Sequence, residues 1–177
     1  MIKGRIVGLR AIEQDDLPQL LEWRNEPSLR RYFREYRELN SRQQLDWFEN
    51  RVNGDLSTRM FAVVELSSKI LLGAAGLCYI DWINRAADFS IYIGADGIYI
   101  DEMFAPDAAR IMISYAFDEL CLHRLWSEIY DFDSAKTRFF EGIGFKLDGR
   151  HRSSHWAEGR WHDSLIYSLL STDYAQR

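Results

Sequence analysis

At 177 residues, 47% hydrophobic and 14% aromatic, the chain is long enough to bury a full core without disulfides or a structural metal. A formal charge of −5 excludes a dedicated nucleic-acid binder, whose affinity comes from basic charge. No apolar run reaches membrane-spanning length, and Met1-Ile2-Lys3-Gly4-Arg5 opens a strand rather than a signal peptide, so the chain reads as cytoplasmic.

Ile2 to Arg10 reads as a first strand. Asp15 or Asp16 is placed to cap a helix carrying Leu17, Leu20, Leu21 and Trp23 toward the core, until Pro27 interrupts it. A second short helix follows from Ser28, and Ser41 with Gln44 has capping-box spacing for a helix through Asn50. Met60 to Leu66 and Ile70 to Ile80 form a hairpin around Ser67-Ser68-Lys69, with Ala86 to Gly94 as the next strand. Pro106 opens a helix to about Cys121 that is apolar on more than one side, as expected beneath a sheet. A strand from Arg124 to Tyr130, a helix from Ser134 to Gly142 and strands at Phe145 to Arg150 and Arg160 to Leu170 complete the order. Cys78, in an apolar strand, and Cys121, at a helix end, read as buried thiols and make neither a disulfide framework nor a zinc spacing. No repeat, low-complexity tract or linker appears, so residues 1–177 read as a single α+β domain. Its sheet is mixed and mostly antiparallel, flanked by helices, with a parallel α/β insert.

The stretch from Asp88 to Phe145 is the most informative. Phe89, Ile91 and Ile93 alternate on one face of its strand, and Ile100-Asp101-Glu102-Met103-Phe104-Ala105 then leads into the main helix. A strand running into a helix N-terminus gathers unpaired backbone N–H groups at the positive end of the helix dipole, a setting that suits phosphate.

Several short motifs surround this unit. Leu9-Arg10 with Asp15-Asp16 and then Trp23-Arg24-Asn25 come first, and Asn84-Arg85-Ala86-Ala87-Asp88 enters the central strand. Tyr115-Ala116-Phe117 lies in the main helix, and Leu122-His123-Arg124 precedes the next strand. Phe140-Glu141-Gly142-Ile143-Gly144-Phe145 makes a helix-to-strand turn, and Gly159-Arg160-Trp161-His162-Asp163 opens the last strand. In this order they resemble the GNAT N-acetyltransferase superfamily over nearly the whole chain. The nearest branch is the one with the ribosomal-protein N-terminal acetyltransferases and related sugar-nucleotide and antibiotic acetyltransferases.

The resemblance implies a GNAT fold with an acyl-CoA-binding β-α-β core and acetyl-CoA as co-substrate. The cofactor would lie in a V-shaped split between two central strands, its pantetheine on Tyr92 and Ile93 and its pyrophosphate on Met103, Phe104 and Ala105. A deprotonated primary amine would attack the thioester directly in a ternary complex. Such chemistry needs a base, a backbone donor for the oxyanion, and a proton donor or other contact for the leaving thiolate.

The chain departs from the family pattern at three places. The pyrophosphate loop usually runs Arg/Gln-x-x-Gly-x-Gly/Ala; here Met103 replaces a glycine, and Asp101 and Glu102 add negative charge of about 1 kcal/mol each if they face the phosphates. Asp88 stands where this branch commonly carries Glu, which makes it the candidate base, with a solvated strand-edge acid or an ion pair with Arg85 as the bland alternatives. Phe140 matches a position that is often a tyrosine donating to the CoA sulfur, and Asp133 one that is commonly an asparagine holding the pantetheine or pyrophosphate.

For the acceptor, Arg24, Tyr32 and Tyr36 belong to an arginine- and aromatic-rich region that forms a pocket wall in the superfamily. Interleaved glutamates allow a solvated charged face instead. His151, His155 and His162 do not converge at metal-ligand spacing, so no metal is expected. Exposed aromatics such as Trp47, Phe48 and Trp82 permit a homodimer. Two readings follow. The first is an N-acetyltransferase acting on a small-molecule amine, an amino sugar or a protein N-terminus, with no nucleic-acid or membrane partner. The second is a degenerate GNAT-fold binding or regulatory protein that has lost acetyl-CoA.

Overall fold

The computed structural model describes residues 1–175. The expected first strand is a hairpin of two short ones, β1 (Ile2–Lys3) and β2 (Val7–Ala11), with Ile2 opposite Leu9. Asp107 is the reason. Its buried carboxylate accepts the amides of Ile6 (2.8 Å) and Val7 (3.1 Å) and draws the chain out of a straight strand. Gly4 permits that approach, since a Cβ there would lie 2.6 Å from Asp107 Oδ2.

Three short helices follow: α1 (Leu17–Asn25), α2 (Pro27–Arg30) and α3 (Ser41–Trp47), the last continuing into a π-helical turn over Phe48–Asn53. Asp16 does not cap α1 through its side chain; it binds Arg10 twice (2.7 and 2.8 Å) and accepts the Glu13 amide. The capping box of α3 lies one residue earlier than expected. Asn40 accepts the Gln43 amide at 2.9 Å, and Gln43 accepts the Asn40 amide at 3.0 Å, which suits Asn at an N-cap. Leu17, Leu20 and Leu29 are buried beside Tyr92. Trp23 closes on Gly94, where a Cβ would meet its ring at 2.1 Å. Trp47 and Phe48, expected at the surface, pack against this cluster, while Trp82 is exposed.

The remaining elements are β3 (Arg59–Glu65), β4 (Leu71–Asp81), β5 (Ala86–Ile93), α4 (Phe104–Ser114), β6 (Arg124–Tyr130), α5 (Ser134–Gly142), β7 (Lys146–Ala157), β8 (Arg160–Leu170) and α6 (Ser171–Tyr174). Helix α4 starts two residues before Pro106 and ends in a π-helical turn over Tyr115–Glu119, and β7 extends seven residues beyond Arg150. The sheet order is β1-β2-β3-β4-β5-β6-β8-β7, antiparallel throughout except for β5 and β6.

Alternation on β5 divides the molecule. Phe89, Ile91 and Ile93 enter the larger core with Ala108, Met112 and Phe140, whereas Asp88, Ser90 and Tyr92 face the side covered by α1 to α3. Phe89 and Phe140 meet edge to face, their centroids 6.0 Å apart, both fully buried. Truncating either to Ala would cost about 3–5 kcal/mol.

Candidate active site

Strands β5 and β6 are paired only from Ala86–Arg124 to Asp88–Trp126. Beyond Asp88 they part. Successive amides on a strand point to opposite edges: the Gly94 amide donates to Leu72 on the β4 side (2.8 Å), and the Ile93 amide donates to the Tyr99 carbonyl on the other (2.9 Å). The Phe89 and Ile91 amides therefore face the split, as oxyanion and pantetheine donors would.

Two adjoining cavities of about 340 and 390 Å³ open beside this edge and share Arg24, Phe33, Glu35 and Ser90. Asp88 lies at the point of divergence, 4% exposed. Burial raises its pKa above the usual carboxylate range, although Arg34 and Lys136 act against that. Its ion pair is with Arg34 (2.9 Å), not Arg85. Glu128 of β6 lines the same cavity and accepts a bond from Ser164. Lys136, one turn into α5, lines it too. Its ammonium lies 5.1 Å from the centre of the Tyr99 ring, and burial pulls its pKa down to about 8.

The loop before α4 makes the anion cradle that the sequence led us to expect, already holding an anion of the chain's own. Asp101 turns inward, and its carboxylate accepts the amides of Met103 (3.1 Å), Phe104 (2.7 Å) and Ala105 (2.7 Å). Glu102 faces solvent. Met103 has φ −118°, a backbone open to any residue, and its side chain is exposed. Three amides converging on one carboxylate are a donor set that fits a pyrophosphate, provided Asp101 swings out.

The other expected residues divide. Arg24 lines both cavities and Tyr32 one of them; Tyr36 is 81% exposed and stands at a separate hollow with His155 and Trp156. Tyr92 lines the first cavity. The Ile93 side chain is in the core and its amide is taken by the Tyr99 carbonyl, so neither is open to the cleft. Asp133 is buried as the cap of α5, accepting the Lys136 amide (3.0 Å) and the Tyr99 hydroxyl (3.1 Å). Phe140 belongs to the core rather than the cleft, because α5 turns that face under β5. Lys136 escaped the sequence reading, and Arg34 was read only as one of the arginine-rich region, not as the partner of Asp88, since no local pattern separates a buried lysine or arginine from an exposed one. The arginine-rich region is mostly self-paired: Arg30 with Glu38, Arg31 with Glu158, Arg37 with Glu35 and Arg42 with Asp46.

His155 and His162 face each other across β7 and β8, and both rings lie against Phe132. His155 stacks on Tyr130 (3.6 Å between centroids) and His162 contacts Asp131 at 3.0 Å; among the described residues no His, Cys, Asp and Glu cluster suits a metal ion. Cys78 is partly buried, but Cys121, expected to be buried, is exposed with φ 53° where the chain leaves the main helix. No helix is long and apolar enough to cross a membrane among the described residues.

Residues 7–146 match the family model of the acetyltransferase (GNAT) domain. The spermidine N(1)-acetyltransferase of Vibrio cholerae is 27% identical, the alignment covering 96% of this chain and 95% of that protein. A putative ribosomal N-acetyltransferase of Bacillus subtilis is 31% identical over 59% of this chain and 56% of its own. The crystal structure of the Vibrio cholerae spermidine N-acetyltransferase in complex with CoA and spermine superposes with a TM-score of 0.86 at 25% identity, covering 96% of this chain and 98% of that one. These likenesses support the enzyme reading, with acetyl-CoA as co-substrate, and lend nothing to the non-catalytic one. With its sheet parting after Asp88 and an anion cradle at the start of α4, the chain belongs to the GNAT acetyltransferase family and has its fold.

Proposed function

We propose that the chain works as one catalytic domain that moves the acetyl group of acetyl-CoA to the amine of a peptide N-terminus or of an amino-acid-like small molecule. The observation that carries this reading is the buried carboxylate of Asp88 at the point where β5 and β6 separate. An amine near pH 7 is mostly ammonium; Asp88 takes its proton, directly or through water, before the nitrogen attacks the thioester. The split-facing amides of Phe89 and Ile91 receive the oxyanion.

The charge of the cleft supports an acceptor with an anionic or carbonyl group beside its amine. A polyamine calls for unpaired carboxylates; Asp88 is bound to Arg34, Glu35 to Arg37 and Asp46 to Arg42, which leaves Glu128, held by the Ser164 hydroxyl and 3.9 Å from His151, as the one cleft carboxylate without an Arg or Lys partner among the described residues. Arg24 makes no ion pair among the described residues; it lies over the Phe33 ring at 4.9 Å and lines both cavities. It is the group placed to hold a carboxylate or peptide carbonyl. Partial similarity to a ribosomal N-acetyltransferase supports the same choice.

The test is a CoA-release assay over peptides, amino acids, amino sugars and spermidine, with wild type and Asp88→Asn. Peptide or amino-acid amines should react fastest. Asp88→Asn should lower kcat by about 10²–10⁴-fold, with acetyl-CoA binding retained. Activity should rise with pH through a value above the ordinary carboxylate range, because the base works only deprotonated and burial raises its pKa. Undiminished turnover in Asp88→Asn would remove the base, and spermidine as the best acceptor would overturn the acceptor class.

A further inference from the structure

The leaving group of this reaction is a thiolate, and among the cleft's proton donors one side chain stands apart. Lys136 is buried, yet among the described residues its ammonium makes no ion pair or hydrogen bond; it faces the Tyr99 ring and the cavity shared with Phe89 and Ser90 of the split edge. Every fully buried side-chain nitrogen and oxygen among the described residues has a hydrogen-bond partner, so this unpartnered Nζ opens onto the cavity, where an arriving anion can meet it. Of the other cations lining this cavity, Arg34 is committed to Asp88, and Arg24, over the Phe33 ring, carries a guanidinium that does not give up a proton. Phe140, one turn further along α5, has nothing to donate.

Resting on the acyl-transfer reading above, we propose that Lys136 is a catalytic residue whose ammonium contacts the CoA sulfur and gives it a proton as the carbon–sulfur bond breaks. While the acceptor nitrogen bonds to the carbonyl carbon, the carbon–sulfur pair stays on sulfur, and Nζ protonates it. The proton lost by the acceptor nitrogen leaves through Asp88 or water and returns Lys136 to its ammonium form. The competing donors are too weak: burial pushes the Cys78 thiol and the Tyr92 hydroxyl up to about 12, and Tyr99 well above its ordinary value. Lys136, lowered to about 8, lies beside the ~8.5 of an ordinary thiol, where proton exchange is nearly balanced. The charged groups around it are Asp133 of its own helix, Asp88 of β5, Glu128 of β6 and Arg34 of the loop after α2.

The experiment needs no acceptor. Wild type, Lys136→Met and Lys136→Arg are titrated calorimetrically with CoA and with desulfo-CoA, and the bound thiol is titrated by its thiolate absorbance. In wild type the bound thiol should ionise about one pH unit below free CoA, giving about tenfold preference for CoA over desulfo-CoA once the thiolate forms. Lys136→Met should abolish both effects while still binding the two ligands; Lys136→Arg, which keeps the charge, should restore them. Thermal melts identify a variant that fails to fold, in which case the Lys136→Arg and wild-type pair decides. Equal CoA and desulfo-CoA binding in wild type, or an unchanged thiol titration in Lys136→Met, would overturn the proposal. Absence of CoA binding in wild type would instead overturn the acyl-transfer reading beneath it.

Discussion

The two helices that start at the split, α4 and α5, are both held by an aspartate on their first amides, in opposite settings. Asp101 is half-buried and accepts three backbone amides. Asp133 is 2% exposed and joins the Lys136 amide to the Tyr99 hydroxyl, with the Lys136 ammonium close by. Burial, not the number of hydrogen bonds, separates them. An incoming phosphate would take over the amides of Asp101, and the displaced carboxylate would find water. Displacing Asp133 would strand the Tyr99 hydroxyl in the interior. The two caps thus differ in what losing them would cost.

The largest effect that sharpens this contrast is a pH dependence at α5. The folded-state pKa of Lys136 is lowered from 10.5 to about 8, so between those values the unfolded chain binds more protons and stability rises with pH. Relative to Lys136→Met, wild type should gain up to about 3 kcal/mol between pH 8 and 10.5 in denaturant titrations. A flat difference would mean that the ammonium is better solvated than its burial implies.

Next comes Asp133→Ala, which removes the cap and leaves a buried hydroxyl without its acceptor. It should cost about 2 kcal/mol, seen as a lower denaturant midpoint at unchanged slope, and Asp133→Asn should recover most of that. The smallest effect on stability is at α4: Asp101→Ser should cost under about 1 kcal/mol, since a hydroxyl can still cap and water reaches the amides. The same change should tighten CoA several-fold and leave pantetheine, which lacks the pyrophosphate, unaffected. Tighter pantetheine, or no change for CoA, would break the idea that Asp101 yields to phosphate.

Element order and most boundaries were legible because they are local. The edges of β6, α5 and β8 fall where period-two and helical patterns start and stop. The errors came from distant partners. Asp107, a hundred residues along, split the first strand, and Asn40 rather than Ser41 capped α3 because the backbone turn chose between two capable side chains. In the site, Asp88 and Tyr92 were indicated by the family resemblance, and nothing local showed that Tyr99 closes the Ile93 amide or that Phe140 turns into the core.

The sequence by itself determined the alternation that puts Phe89, Ile91 and Ile93 in the core and Asp88 in the cleft, and the strand-to-helix transition that makes an anion cradle. Both depend only on backbone geometry repeated over a few residues. The tertiary structure alone decided that Asp101 fills that cradle, that Arg34 pairs with Asp88, and that Lys136 is drawn into the cleft over the Tyr99 ring. Those outcomes depend on which rotamer each long or charged side chain adopts and how far it is desolvated, and burial is a property of the assembled fold rather than of any one segment.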